Sequence, residues 1–196
     1  MKHLVITIGC EYGAKGNAIG KKIAQDLGIK FYDRDLVDEI IKEVGIPTDI
    51  MDRVEEGGTI AGKGAQGDVR GSFSKYADLT DRAIHVQKQI IRKLAQKEAC
   101  VIIGRSADYI LKDRDDVLNV FIHGDMPEKI KRITGLYNVE EKEAVKMMAD
   151  TDKRRRTNYN FYTDQNWGKA SNYTLCLNSS QLGYDRCEMI IMECVK

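Results

Sequence analysis

Apolar residues along this chain follow two rhythms. Short, nearly continuous runs occur at Leu4-Val5-Ile6-Thr7-Ile8, Cys100-Val101-Ile102-Ile103, Val117-Leu118-Asn119-Val120-Phe121-Ile122 and Tyr173-Thr174-Leu175-Cys176-Leu177, with a weaker one at Lys30-Phe31-Tyr32. Runs of this length that do not alternate with polar residues predict strands of a parallel sheet covered on both faces. Between them the spacing becomes helical. Ile19, Ile23 and Leu27 form one such stripe, and Leu36, Val37, Ile40, Ile41 and Val44 another, ending at Gly45 with Pro47 beyond. A longer helix is predicted from Leu79 to Gln96 through Ala83, Val86, Ile90, Ile91 and Leu94. Further helices start at Pro127, span Val139 to Met148, and run from about Leu182 through Ile190, Ile191 and Cys194. Strands alternating with helices predict right-handed βαβ units and a doubly wound α/β domain.

The first strand stops at Gly9, and glycines follow at 13 and 16 before the first helical stripe. Strand, glycine loop and helix together suit an anion: loop amides converge, and the helix N-terminus adds partial positive charge. The loop is not a complete Walker A motif. That motif needs Gly-Lys-Ser/Thr, and the chain reads Lys15-Gly16-Asn17.

Composition narrows the field. Lys plus Arg total 31 and Asp plus Glu total 30, so no global field favours nucleic acid or a membrane surface. No apolar run approaches the ~20 residues that cross a bilayer. Lys2-His3 leads directly into the first strand, so no secretory leader is expected. The five cysteines (Cys10, Cys100, Cys176, Cys187, Cys194) contain no C-x-x-C pair. They read as reduced thiols of a cytoplasmic protein, neither disulfides nor a zinc site. His3, His85 and His123 lie far apart, and no metal-ligating set is predicted. Gly57 to Gly71 holds six of the 17 glycines and shows no periodicity. It reads either as a disordered surface loop or as a mobile segment closing over a substrate.

Three clusters offer chemistry. Gly104-Arg105 directly follows the strand at 100–103, at the end of a parallel strand where ligands bind. Arg105 would there contact a phosphate or form a surface ion pair. Asp33-Arg34-Asp35 follows the strand at 30–32, and Asp33 suits either a helix N-cap or a group orienting an acceptor. Lys153-Arg154-Arg155-Arg156 continues a helix into Tyr159-Asn160-Phe161-Tyr162 and Trp167. By charge alone this run reads as a solvated face. The other options are a lid bringing arginines onto a transferring phosphoryl group, or a surface for nucleic acid.

The order of these pieces resembles the cytidylate kinase-like family, a branch of the nucleoside monophosphate kinases. The resemblance is carried by Ile6-Thr7-Ile8, Tyr12-Gly13, Gly16, Ile19-Gly20-Lys21-Lys22-Ile23-Ala24, Leu27-Gly28-Ile29 and Phe31-Tyr32-Asp33. It continues in Val101-Ile102-Ile103-Gly104-Arg105 and in Val120-Phe121-Ile122 with Met126-Pro127-Glu128 and Lys131-Arg132-Ile133. Asp152-Lys153, Arg155, Tyr159, Tyr162-Thr163, Trp167-Gly168, Tyr173-Thr174-Leu175, Asn178-Ser179 and Leu182-Gly183 resemble its lid and final strand. The resemblance implies a three-layer P-loop NTPase-like fold, mainly parallel, with helices on both faces, a helical lid at about 150–168 and one domain over 1–196. It implies ATP phosphates at Gly13, Ala14, Lys15, Gly16 and Asn17, with Mg²⁺ as the accompanying ion. It also places Asp33, Arg105 and Arg154 on the acceptor side, and Lys15, Arg155 and Arg156 against the transferring group.

The chain departs from the family's ordinary kinases in the loop. Counting back from Leu27-Gly28, Gly16 occupies the Walker lysine's place and Asn17 that of the magnesium-binding Ser or Thr. Lys15, Lys21 or a lid arginine are the candidates for the missing charge. Ser106 stands where cytidylate kinases carry an aspartate, and Asp108 comes two places later. The expected function is transfer of the ATP γ-phosphoryl to a nucleoside monophosphate, cytidylate-like, or a related small acceptor. A catalytically weak nucleotide-binding regulator and a nucleic-acid binder through residues 153–167 are the alternatives.

Overall fold

The computed structural model describes residues 4–43, 45 and 70–195. Most of the glycine-rich segment at 57–71 lies outside them. Five strands form one sheet: β1 Val5–Cys10, β2 Lys30–Tyr32, β3 Cys100–Ile103, β4 Val117–His123 and β5 Leu175–Asn178. Every pairing is parallel and the spatial order is β2-β3-β1-β4-β5. The order puts β1 in the centre, with Val5 opposite both Cys100 and Val117.

Side chains alternate across the sheet as the pleat requires. Val5, Cys100 and Ile102 pack on one face with Val37 and Ile41 of α2 (Arg34–Glu43) and Ile84 and Ile91 of α3 (Arg70–Lys97). Ile6, Ile8, Val101, Ile103, Val120 and Ile122 pack on the other. There they meet Ile19 and Ile23 of α1 (Gly16–Leu27) and Cys187 and Ile191 of α8 (Tyr184–Glu193). Both faces are covered, as the continuous apolar runs require. The remaining helices are α4 (Ala107–Ile110), α5 (Met126–Tyr137), α6 (Glu141–Thr163) and α7 (Ser179–Leu182), with a 3₁₀ turn at Ala170–Asn172. Ile133 of α5 packs on Ala144 and Met148 of α6, forming a third, smaller cluster beside the sheet.

Three boundaries differ from the sequence reading. α3 begins at Arg70, nine residues before the apolar stripe at Leu79, so its opening overlaps the end of the glycine-rich segment. α6 runs unbroken through the four basic residues and the aromatic stretch to Thr163, where Asp164 turns left-handed and ends it. The last helix begins at Tyr184, two residues after the expected start, because Gly183 adopts φ 78° and ψ 161°, outside any helical conformation, and separates it from the short α7.

Candidate active site

The glycine loop joins β1 to α1 and is tied to its neighbours at several points. Gly13 (φ 83°) and Lys15 (φ 61°) are left-handed, which aims the loop into the first turn of α1. That turn has neither a side-chain cap nor an acidic residue, so its leading amides have no intrahelical carbonyl to bond. Ser179 Oγ, buried, lies 3.0 Å from the Ala14 carbonyl and 3.1 Å from that of His123, which fixes the loop to β4. Arg132 donates to the Gly13 carbonyl. Gly16 has no room for a side chain: a Cβ there would lie 2.5 Å from Cys10 Cβ and 2.7 Å from its Sγ.

The cations near this loop are unequally placed. The Lys15 ammonium rests 4.1 Å from the centroid of the Tyr184 ring, with the Arg132 guanidinium 5.0 Å from the same ring. Lys129 of α5 is buried, and its Nζ donates to Glu11 Oε2 at 2.7 Å. The same carboxylate oxygen accepts from the Gly124 amide at 3.3 Å.

The basic helix α6 crosses over the loop. Asp152 Oδ1 accepts from the Tyr12 amide at 2.7 Å, and Arg155 donates to the Cys10 carbonyl at 2.8 Å. The Arg155 guanidinium also lies 5.7 Å from the Tyr12 ring and 3.6 Å from Asp152. Burial pushes the Asp152 carboxyl and the Cys10 thiol upward from their usual values. The Tyr12 phenol is pushed up to about 12, chiefly by burial and then by its bond to Tyr137.

Beyond β3 the chain makes an unusual turn. Gly104, Arg105 and Ser106 are left-handed in succession, at φ 65°, 57° and 52°. For the two non-glycine residues this costs on the order of 1–3 kcal/mol each, strain that clusters at functional sites. The turn directs Arg105 inward, where its side chain is 6% exposed and pairs with Asp38 of α2. Gln87 of α3 donates to the Arg105 carbonyl at 3.3 Å. Behind it, Asp108 is buried and accepts from Tyr159 at 2.6 Å. Gln165 Oε1 lies 3.0 Å from that phenol oxygen. Burial raises the Asp108 carboxyl, and burial together with Asp108 raises the Tyr159 phenol.

A cleft of about 150 Å³ lies at the carboxyl ends of β1 and β3, bounded by Cys10, Arg105, Arg154, Arg155, Trp167 and Tyr173 among others. Gly13, Ala14, Lys15, Gly16 and Asn17 are not among its lining residues. Trp167 and Tyr173 form an aromatic wall packed on Phe121, with ring centroids 5.2 and 5.0 Å apart. Arg105, Arg154 and Arg155, drawn from distant parts of the sequence, thus meet in one place. Arg156 points elsewhere, 5.8 Å from the Trp167 ring. Asp33 caps α2 by accepting from the Leu36 amide at 3.0 Å and is not among the residues lining the cleft. Asp38, Gln87 and the Asp108–Tyr159 pair were not predicted. Only Asp108 carried a signal, its nearness to Arg105; Asp38 and Gln87 sit on ordinary amphipathic helices.

Among the described residues no group of three or more His, Cys, Asp or Glu is placed to hold a metal ion. Asn17, exposed in the first turn of α1, offers an amide oxygen at the place expected for Mg²⁺. No described helix is long and apolar enough to cross a membrane.

The chain is similar to several solved structures. An uncharacterized protein from Eubacterium ventriosum is 28% identical, with 98% of each chain covered and a TM-score of 0.77. Shikimate kinase from Bacteroides thetaiotaomicron is 15% identical over 98% of each chain, with a TM-score of 0.55. Shikimate kinase from Acinetobacter baumannii, solved with shikimate, is 14% identical over 98% of this chain and 93% of its own, at 0.53. At that identity the two kinases establish the P-loop kinase fold and not a substrate. No curated protein is significantly similar. The profile of the cytidylate kinase-like family matches residues 5–181, a span that holds all five strands and every residue lining the cleft. The chain belongs to the cytidylate kinase-like family.

Proposed function

We propose that the protein is an ATP-dependent phosphotransferase acting on a nucleoside monophosphate, cytidylate-like, or a related small acceptor. The observation that carries this reading is that the strained Arg105 turn and Arg154 and Arg155 of α6 line one cleft with Gly9 and Cys10, where the glycine loop leaves β1. The amides of Gly13, Ala14, Lys15, Gly16 and Asn17 would cradle the ATP phosphates. Asn17 is the residue that would hold Mg²⁺, which would supply neutralising charge to those phosphates. Arg105, oriented by Asp38, would meet the acceptor's anionic group, with Arg154 and the Asp33 end of β2 on the same side. An acceptor oxygen would attack the γ-phosphorus while the bond to the β,γ-bridging oxygen breaks and ADP leaves. Arg155 would offset the charge on the transferring group, a role expected of Arg156 as well from the resemblance, although Arg156 stands against Trp167 outside the cleft. Trp167 and Tyr173 give a planar base a surface on which to stack.

One observation favours a second reading, a nucleotide-binding regulator with little turnover: the place of the Walker lysine is closed by Cys10. A single experiment separates the two. ADP release from Mg-ATP is measured with CMP, dCMP, UMP, AMP, GMP, dTMP or no acceptor. Acceptor-dependent release is expected, largest among pyrimidine monophosphates. A flat panel from protein that binds ATP would favour the regulator. The near-neutral charge predicts no retention of single-stranded RNA or DNA at low salt. A cytoplasmic location is proposed on the reduced cysteines.

A further inference from the structure

The phosphotransferase reading leaves a charge to be found. A Walker lysine reaches the β- and γ-phosphates from the first turn of its helix, and position 16 here accepts no side chain at all. The loss is therefore built into the packing of β1 against α1. Of the candidates in the sequence, Lys15 is exposed and lies on the Tyr184 ring, and Lys21 is exposed on α1. Arg155 is occupied with the Cys10 carbonyl and Asp152.

Two further cations stand at the loop without having been predicted, and one of them, Arg132, is occupied with the Gly13 carbonyl. Lys129, in the first turn of α5, has a side chain only 5% exposed. Its stem lies along the loop, with Cβ 3.3 Å and Cγ 3.5 Å from the position of a Cβ on Gly13. Its ammonium is bonded to Glu11, a carboxylate of the loop itself, whose side chain is 29% exposed. This pair is asymmetric. Glu11 can be rehydrated where it stands, whereas the buried ammonium needs another anion to replace it. Removing an ammonium from water is expensive, and a single part-exposed carboxylate is modest compensation. A polyphosphate held by the loop amides would supply the replacement anion.

We propose that Lys129 takes the place of the Walker lysine against the terminal phosphates of the nucleotide, resting on Glu11 until they arrive. The charge has moved from α1 to α5, and Glu11 competes with the nucleotide for it. This proposal rests on the phosphotransferase reading, yet it is testable without turnover, through how affinity depends on the number of phosphates.

The test is titration of the full-length wild type, Lys129→Met and Glu11→Gln with ATP, ADP and AMP in EDTA, each variant's fold being checked by circular dichroism. Wild type is expected to bind ATP more tightly than AMP. Lys129→Met should weaken ATP about 10- to 100-fold, the worth of a charge-assisted hydrogen bond, while AMP changes less than about twofold. Glu11→Gln, which removes the competitor, should raise the preference for ATP over AMP. An equal loss for ATP and AMP in Lys129→Met, or an unchanged ratio, would make the pair a structural clamp and overturn the proposal. Should Lys129→Met not fold, an unchanged ratio in Glu11→Gln overturns it. Failure of the wild type to bind any of the three nucleotides overturns the phosphotransferase reading and this proposal together.

Discussion

Gly16 shows how a single position governs the loop. A methyl group there meets Cys10 Cβ at 2.5 Å, and Cβ atoms move only with the backbone. Gly16→Ala is therefore expected to lower unfolding free energy by about 1–3 kcal/mol, as overpacking does, in urea denaturation. Against Cys10→Gly the same change should cost less, with a coupling of roughly 1 kcal/mol between the two positions. Equal costs in both backgrounds would place the strain elsewhere. The sequence revealed that a lysine was missing, because glycine is visible as a letter. It did not reveal why, since the contact joins residues 10 and 16 through a fold that no local pattern encodes. Arg105 illustrates the same divide. Its position after a strand marked it for a ligand, while its Asp38 partner, 67 positions away, was illegible.

At the level of elements, α6 is the piece whose placement matters most. Its basic run and aromatic stretch gave conflicting signals, and charge alone suggested a solvated face. Both descriptions fit, because a helix has several faces: Lys153 and Arg156 are exposed while Arg155 and Tyr159 turn inward. Period and charge fix which residues share a face, but not which neighbour that face meets. Asp152 shares the connection to the loop with Arg155, so Asp152→Ala should leave the Tyr12 amide without its partner while Arg155 keeps the Cys10 carbonyl. A buried donor left unpaired costs about 1–3 kcal/mol. Hydrogen–deuterium exchange should then quicken in residues 10–16 and in α6 around 150–160, with β3 and β4 unaffected. Unchanged protection in the loop would mean that Asp152 holds nothing in place.

For the whole molecule, alternating strands and helices implied a parallel sheet covered on both faces, though not its strand order, and the apolar runs located all five strands to within two residues. The cleft's polar lining was not legible, since it depends on Tyr159 of α6 meeting Asp108, 51 positions away. That burial has a global consequence for pH. A carboxyl raised in the native state binds more protons there than in the unfolded chain, so it makes stability fall as pH rises. The window begins near the unfolded value of about 4 and ends above the raised native one. Asp108→Asn keeps an oxygen to accept from Tyr159 and removes the titration. The unfolding free energy of wild type relative to this variant should therefore decline across the window and be flat above it. A difference independent of pH would show that Asp108 does not titrate on folding. The contacts of Asp152 and Arg155 with the glycine loop carry a mechanical consequence as well. They grip a helix of 23 residues, about 35 Å long, slightly past its midpoint. A tilt of some 10° about that fulcrum would sweep each end through about 3 Å, so a small rearrangement of the loop is written large at both tips of the beam.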